Sequence, residues 1–117
     1  MKYIALYNLA VINYQQELYS LARDYVNSAK EIKDNDEIHV LSAEIYSKQG
    51  DIKNAVNEYK YLISKEPQNI DYSIFLANIY LEKRKFLEAR KVLKSYIKKY
   101  PSERNNPKLN AYRNLFL

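Results

Sequence analysis

His39 is the single histidine of this 117-residue sequence, and 14 aspartates and glutamates are its other candidate proton carriers. Acid–base catalysis needs such groups paired within hydrogen-bond reach, and a transition-metal centre needs several ligands converging. One imidazole cannot build a histidine-rich metal centre, so any His–carboxylate dyad would rest on His39 alone. The carboxylates are scattered towards helix starts rather than paired on one face. There is no cysteine, which excludes disulfides, thiolate ligands and a cysteine nucleophile. The lone glycine, Gly50, cannot form a glycine-rich phosphate loop. The expectation is therefore no catalytic residue, no metal site, no cofactor and no enzyme. His39 is expected to be a partly exposed packing residue on a helix.

The remaining chemistry is that of binding. Residues 1–81 carry 8 basic and 11 acidic side chains, whereas residues 82–117 carry 11 basic and 3 acidic. Such asymmetry can mark an interaction surface. Lys91, Lys94 and Lys98 share one face at helical spacing, opposite Val92, Leu93 and Ile97, and Lys83, Arg84 and Lys85 cluster just before. Clustered cations suit phosphates, but the pattern is first of all that of a solvated helix face. The 13 tyrosines are unusual. Tyrosine, asparagine, isoleucine and lysine are all frequent together, a bias that A/T-rich codons also produce.

The elements that must position these residues recur. Ala43, Ala77 and Ala111 lie 34 positions apart, as do Tyr46 and Tyr80, Ala55 and Ala89, and Pro67 and Pro101. Small, aromatic and helix-breaking residues thus share one period, as in an array whose units bury their apolar faces against one another. In the unit 36–69, Ile38, Leu41, Ile45 and Tyr46 follow helical spacing, with Ala43 on an adjoining face. Asn35 or Asp36 can cap this helix, and Gly50 can end it. Asp51 can cap a second helix with Ile52, Ala55, Val56, Tyr59, Leu62 and Ile63 on one face, closed by Pro67. The unit 70–103 repeats this with Ile74, Leu76, Ala77, Ile79 and Tyr80, then Phe86, Ala89, Val92, Leu93, Tyr96 and Ile97. Arg84 stands where the preceding unit has Gly50. Residues 3–35 fit with one residue fewer, since Ala10 and Ala22 precede Ala43 and Ala55 by 33. Pro107 opens a last helix to Leu117, and Ala111 keeps the register.

This layout resembles the tetratricopeptide repeat. The matching positions are Ala43, Tyr46, Gly50, Ala55, Tyr59 and Pro67, then Ala77, Tyr80, Phe86, Ala89 and Pro101. His39 and Ser73 stand where the family has a bulky aromatic. The resemblance implies an all-α, right-handed α-solenoid of three helix–turn–helix repeats, at about 3–35, 36–69 and 70–103, plus a seventh helix at about 107–117, in a single domain spanning 1–117. It also implies a concave groove lined by the first helix of each repeat. The inward positions would be Tyr7, Val11, Tyr14, Glu37, Val40, Glu44 and Lys48, then Asp71, Ile74, Asn78, Leu81 and Glu82, with Lys108 and Tyr112 at the end. Such a groove is aromatic and aliphatic first, then acidic. Packing on neighbouring helices is the alternative role for Tyr7, Val11 and Tyr14. The family's clamp for a chaperone's C-terminal carboxylate would fall on Tyr7, Val11, Leu41, Asp71 and Phe75, which lack its Lys, Asn and Arg donors.

The expected function is a protein-interaction module that takes a peptide or partner helix in this groove. One alternative is a structural or oligomerising piece of a larger protein, and another is a basic nucleic-acid-binding adaptor. Several groove positions are acidic, which disfavours nucleic acid. Tyr112, Leu115, Phe116 and Leu117 would form an apolar end that docks on more of an array or on a second copy in a homodimer. Tyr3–Ile12 is apolar after Lys2, but it lacks a cleavage pattern and is too short to span a bilayer. An amphipathic first helix and a cytoplasmic protein are expected.

Overall fold

The computed structural model describes residues 2–116, and at Phe116 the backbone only. Six α-helices follow one another: α1 (Lys2–Gln15), α2 (Tyr19–Ile32), α3 (Asp36–Lys48), α4 (Ile52–Lys65), α5 (Ile70–Glu82) and α6 (Phe86–Lys99). Among the described residues there is no strand.

Capping sets the helix starts. The Asn35 side chain accepts from the Ile38 amide at 3.0 Å, and Asn69, 34 positions on, accepts from the Asp71 amide at 3.0 Å. Each satisfies an amide that the first helical turn leaves without a partner. Asp51 opens α4 in the same way, accepting from the Asn54 amide at 3.3 Å.

The turns inside the helix pairs share one geometry. Gly50 has φ +78°, and Glu17 and Arg84 at the equivalent positions have φ +63° and +58°. In each turn the following amide reaches back five residues: Leu18 to Asn13, Asp51 to Tyr46 and Lys85 to Tyr80, at 2.8–2.9 Å. That bond, with those of Glu17, Gly50 and Arg84 to carbonyls three residues earlier, is the Schellman arrangement. The turn therefore persists where glycine is absent. The residue missing from the first repeat falls after α2: three residues, 33–35, join α2 to α3, whereas four, 66–69, join α4 to α5.

The chain divides into two compact units, one ending at Glu58 and the other beginning at Tyr59. In the first, Ala10, Ala22, Val26, Ala29, Ile38, Leu41 and Ile45 form the core. In the second, Ile70, Ile74, Ala77, Ala89, Leu93, Tyr96 and Leu109 do so. Ala10, Ala43, Ala77, Ala22, Ala55 and Ala89 are all fully buried. Methyl side chains at such places let helices approach closely in a densely packed interior.

Three expectations need correction. The last helix is α-helical only over α7 (Arg113–Phe116), because 3-10 turns occupy Pro101–Asn105 and Pro107–Tyr112. Three residues per turn changes which side chains face inward. Leu109 is fully buried, and Ala111, despite its register, is exposed. The first helix is not amphipathic. Tyr3, Leu6, Tyr7, Val11 and Tyr14 pack inward, while Ile4, Leu9 and Ile12 are exposed on its other side. Phe86, placed on the apolar face of its helix, begins α6 and is 54% exposed.

Candidate peptide-binding faces

In the first unit, helices α1 and α3 bring three polar groups together. Tyr7 on α1 is half-buried, and Glu37 on α3 acts on its hydroxyl. Burial, followed by the nearby negative charge of Glu37, pushes the Tyr7 phenol up to about 12. Glu44 lies two turns along α3 from Glu37 and adds to the same negative field. Burial also raises the Glu44 carboxyl, with Lys48 opposing it. The physical cause is the same for both: a partly dry site disfavours the ionised form. Glu37 and Lys48 are exposed, and Val40 is half-buried.

Val11 and Tyr14 are half-buried and pack against the first unit's core. The Tyr14 ring sits 5.8 Å from that of Tyr19, and the Tyr3 and Tyr7 rings stack at 6.0 Å. This face therefore offers partial aromatic surface beside carboxylates.

In the second unit, the equivalent face of α5 already has intramolecular partners. Asp71 accepts from the Lys108 ammonium at 2.9 Å, and the Asn78 side-chain carbonyl accepts from the Tyr112 hydroxyl at 2.8 Å. Ile74 is buried in the core, Leu81 is half-buried and Glu82 is exposed. Of the apolar terminal residues, Tyr112 and Leu115 are partly buried against the second unit's core. The Phe116 side chain and Leu117 lie outside the described residues. Of the positions corresponding to the carboxylate clamp, Leu41 is buried and Phe75 packs its ring 5.7 Å from Tyr59.

His39 is a correction. It is buried, with Nε2 2.5 Å from an Asp34 oxygen and Nδ1 3.0 Å from a Glu58 oxygen. Only a ring protonated on both nitrogens donates to both carboxylates. The arrangement ties α3 to α4 and to the preceding loop, and two carboxylates do converge on the one imidazole. Spacings of 5 and 19 residues match no helical face, so no sequence pattern announces it. Among the described residues no group of three or more His, Cys, Asp or Glu could hold a metal ion.

Lys91, Lys94 and Lys98 are exposed on α6, as are Lys83, Arg84 and Lys85 at the turn before it. No described helix is long and apolar enough to cross a membrane.

Models of the tetratricopeptide repeat match residues 46–106 and 1–37. No curated protein matches the sequence. Among solved structures, the Yersinia enterocolitica type III secretion chaperone SycD, in complex with a peptide of the translocator YopD, is similar. It shares 18% identity over 94% of this chain and 82% of its own, with a TM-score of 0.71. The structure of SycD described without that peptide gives 18% identity, 92% and 72% coverage and a TM-score of 0.69. Yeast Tom70 shares 21% identity over 97% of this chain and 23% of its own, with a TM-score of 0.74. At these identities the likeness is one of fold: an all-α, helical-repeat architecture. Repeats of this kind support a role in protein–protein interaction.

Proposed function

This chain belongs to the tetratricopeptide-repeat family, and we propose that it is a non-catalytic module that binds a peptide or partner helix on the first-helix face of its repeats. The repeats in this reading run over about 3–35, 36–69 and 70–103, with a terminal helix at about 107–117. The observation that carries the proposal is the α1–α3 face, where the half-buried Tyr7 hydroxyl lies in the field of Glu37 and of half-buried Glu44. A half-buried carboxylate such as Glu44 is costly to keep charged, and Lys48 offsets only part of that cost. A peptide lysine or arginine brought to Glu44 and the exposed Glu37 would supply a further cation, while Val11 and Tyr14 would give its apolar side chains a surface. The preferred ligand is thus a short segment with a bulky apolar anchor and a basic residue. The related chaperone structure with a bound translocator peptide lends this reading support.

The test is a peptide array probed with the full chain, with hits quantified by calorimetry. Glu44→Gln should weaken a basic, apolar hit by about threefold to tenfold, and Tyr14→Ala should do likewise. Hits without basic residues, or hits indifferent to both substitutions, would remove the assigned face from consideration.

A further inference from the structure

The second unit carries a cleft of about 410 Å³ on the side of α5 opposite Asp71, Asn78 and Glu82. Its floor is Ser73, Leu76 and Tyr80 of α5, and its walls come from α4 and α6. Ile63, Val92 and Tyr96 make the walls largely apolar. The volume lies within the roughly 300–1,000 Å³ typical of ligand-binding clefts. A cross-tie links α6 to the loop after α4: the buried Tyr96 donates its hydroxyl to the Gln68 carbonyl at 3.0 Å.

Charge at the rim is one-sided. Lys60 on α4 and Lys91 and Lys99 on α6 stand around the opening, with Glu88 the single carboxylate among the lining residues. All three lysines are exposed, and among the described residues no carboxylate forms an ion pair with them. Lys91 and Lys99 are two helical turns apart, about 12 Å along α6. Three separated cations around a cleft with largely apolar walls match carboxylates that flank bulky side chains.

We propose that this cleft is a second docking site, for a short acidic segment of a partner protein that inserts aliphatic side chains between α4 and α6. Its Glu88 end would turn the segment's acidic residues towards Lys91 and Lys99. A single nucleic acid strand fits the cleft less well, since base stacking needs open aromatic faces. Tyr96 is buried, Tyr80 is half-buried, and the Lys99 ammonium already lies 5.9 Å from the centre of the Tyr100 ring. The site is separate from the first-helix face and of opposite charge, so failure of either leaves the other standing.

The experiment uses the full chain and a fluorescein-labelled synthetic peptide about three helical turns long, built of glutamate and leucine. Fluorescence anisotropy should report saturable binding that weakens as salt is raised. Lys91→Glu with Lys99→Glu should reduce affinity at least about tenfold, and so should replacing the peptide leucines by serine. Ser95→Phe, which fills the cleft from an exposed position, should also abolish binding while circular dichroism stays that of the parent. No binding by the leucine peptide, equal binding by the serine peptide, or insensitivity to either set of substitutions would overturn the proposal. Tighter binding of a single-stranded oligonucleotide of similar length, competing with the peptide, would overturn it in favour of a phosphate-binding surface.

Discussion

Arg84 and Glu17 hold a backbone conformation that favours glycine. A side chain in the left-handed region costs about 1–2 kcal/mol, part of which glycine regains at the expense of its own chain entropy. Arg84→Gly and Glu17→Gly should therefore each stabilise the protein by about 0.5–1 kcal/mol in urea unfolding. Gly50→Ala should destabilise it by about 1 kcal/mol, since a Cβ there meets nothing within 4 Å and only the backbone resists. Glu44 supplies a pH signature. Its folded pKa is raised by burial, so the stability linked to its protonated form is present in acid and is lost as pH rises through that raised value. Glu44→Gln cannot ionise. It should melt higher than the parent at neutral pH, with the difference closing as pH falls below the ordinary carboxylate range. An unchanged gap across that range would mean that Glu44 is not desolvated in solution. At this scale the sequence was least informative: spacing showed neither Glu37 acting on the Tyr7 hydroxyl nor the two carboxylates on His39.

At the scale of elements, most of what forms each helix was legible. Asn35 and Asp51 cap where their types and positions suggested, because an Asn or Asp before an apolar-periodic run satisfies free amides, and Asn69 does the same one repeat after Asn35. The alanine series was legible for a packing reason. Ala77 and Ala89 are fully buried in the core that α5 and α6 share, so Ala77→Leu should overpack it and cost roughly 1–3 kcal/mol in a thermal or urea melt. A melt equal to the parent's would refute that placement. The terminal segment was less legible. Pro107 correctly announced a helical start, with the Asn106 side chain accepting from the Lys108 amide at 2.9 Å. A helix-opening proline serves 3-10 and α geometry alike, and so it did not reveal that Leu109 rather than Ala111 faces inward.

On the scale of the whole molecule, two cores and an uneven charge stand out. The unit up to Glu58 has 6 basic and 9 acidic side chains, and the unit from Tyr59 has 13 basic and 5 acidic. The candidate faces follow this division: carboxylates line the α1–α3 face, and lysines rim the cleft between α4 and α6. Because each unit has its own buried cluster, a core lesion should stay local, as in other repeat arrays. Leu109→Ala should cost about 2–5 kcal/mol. In native-state hydrogen exchange it should raise the rates of α5 and α6 while leaving α2 and α3 near their parent values. A uniform rise through all six helices would show instead that the two clusters unfold as one.

The 34-residue period by itself pointed to the family, the helix pairs and, Ala111 apart, the buried alanines. These follow from local rules: caps, breakers and helical periodicity act over a few residues and repeat wherever their residue types repeat. Tertiary structure alone decided three other things. It turned His39 from a packing residue into the centre of a hydrogen-bonded cluster, it used Lys108 and Tyr112 to engage Asp71 and Asn78, and it opened a lysine-rimmed cleft opposite that face. Each depends on side chains far apart in sequence meeting across helices. Their meeting is set by packing angles and by which residues fill the space between, neither of which a one-dimensional spacing records.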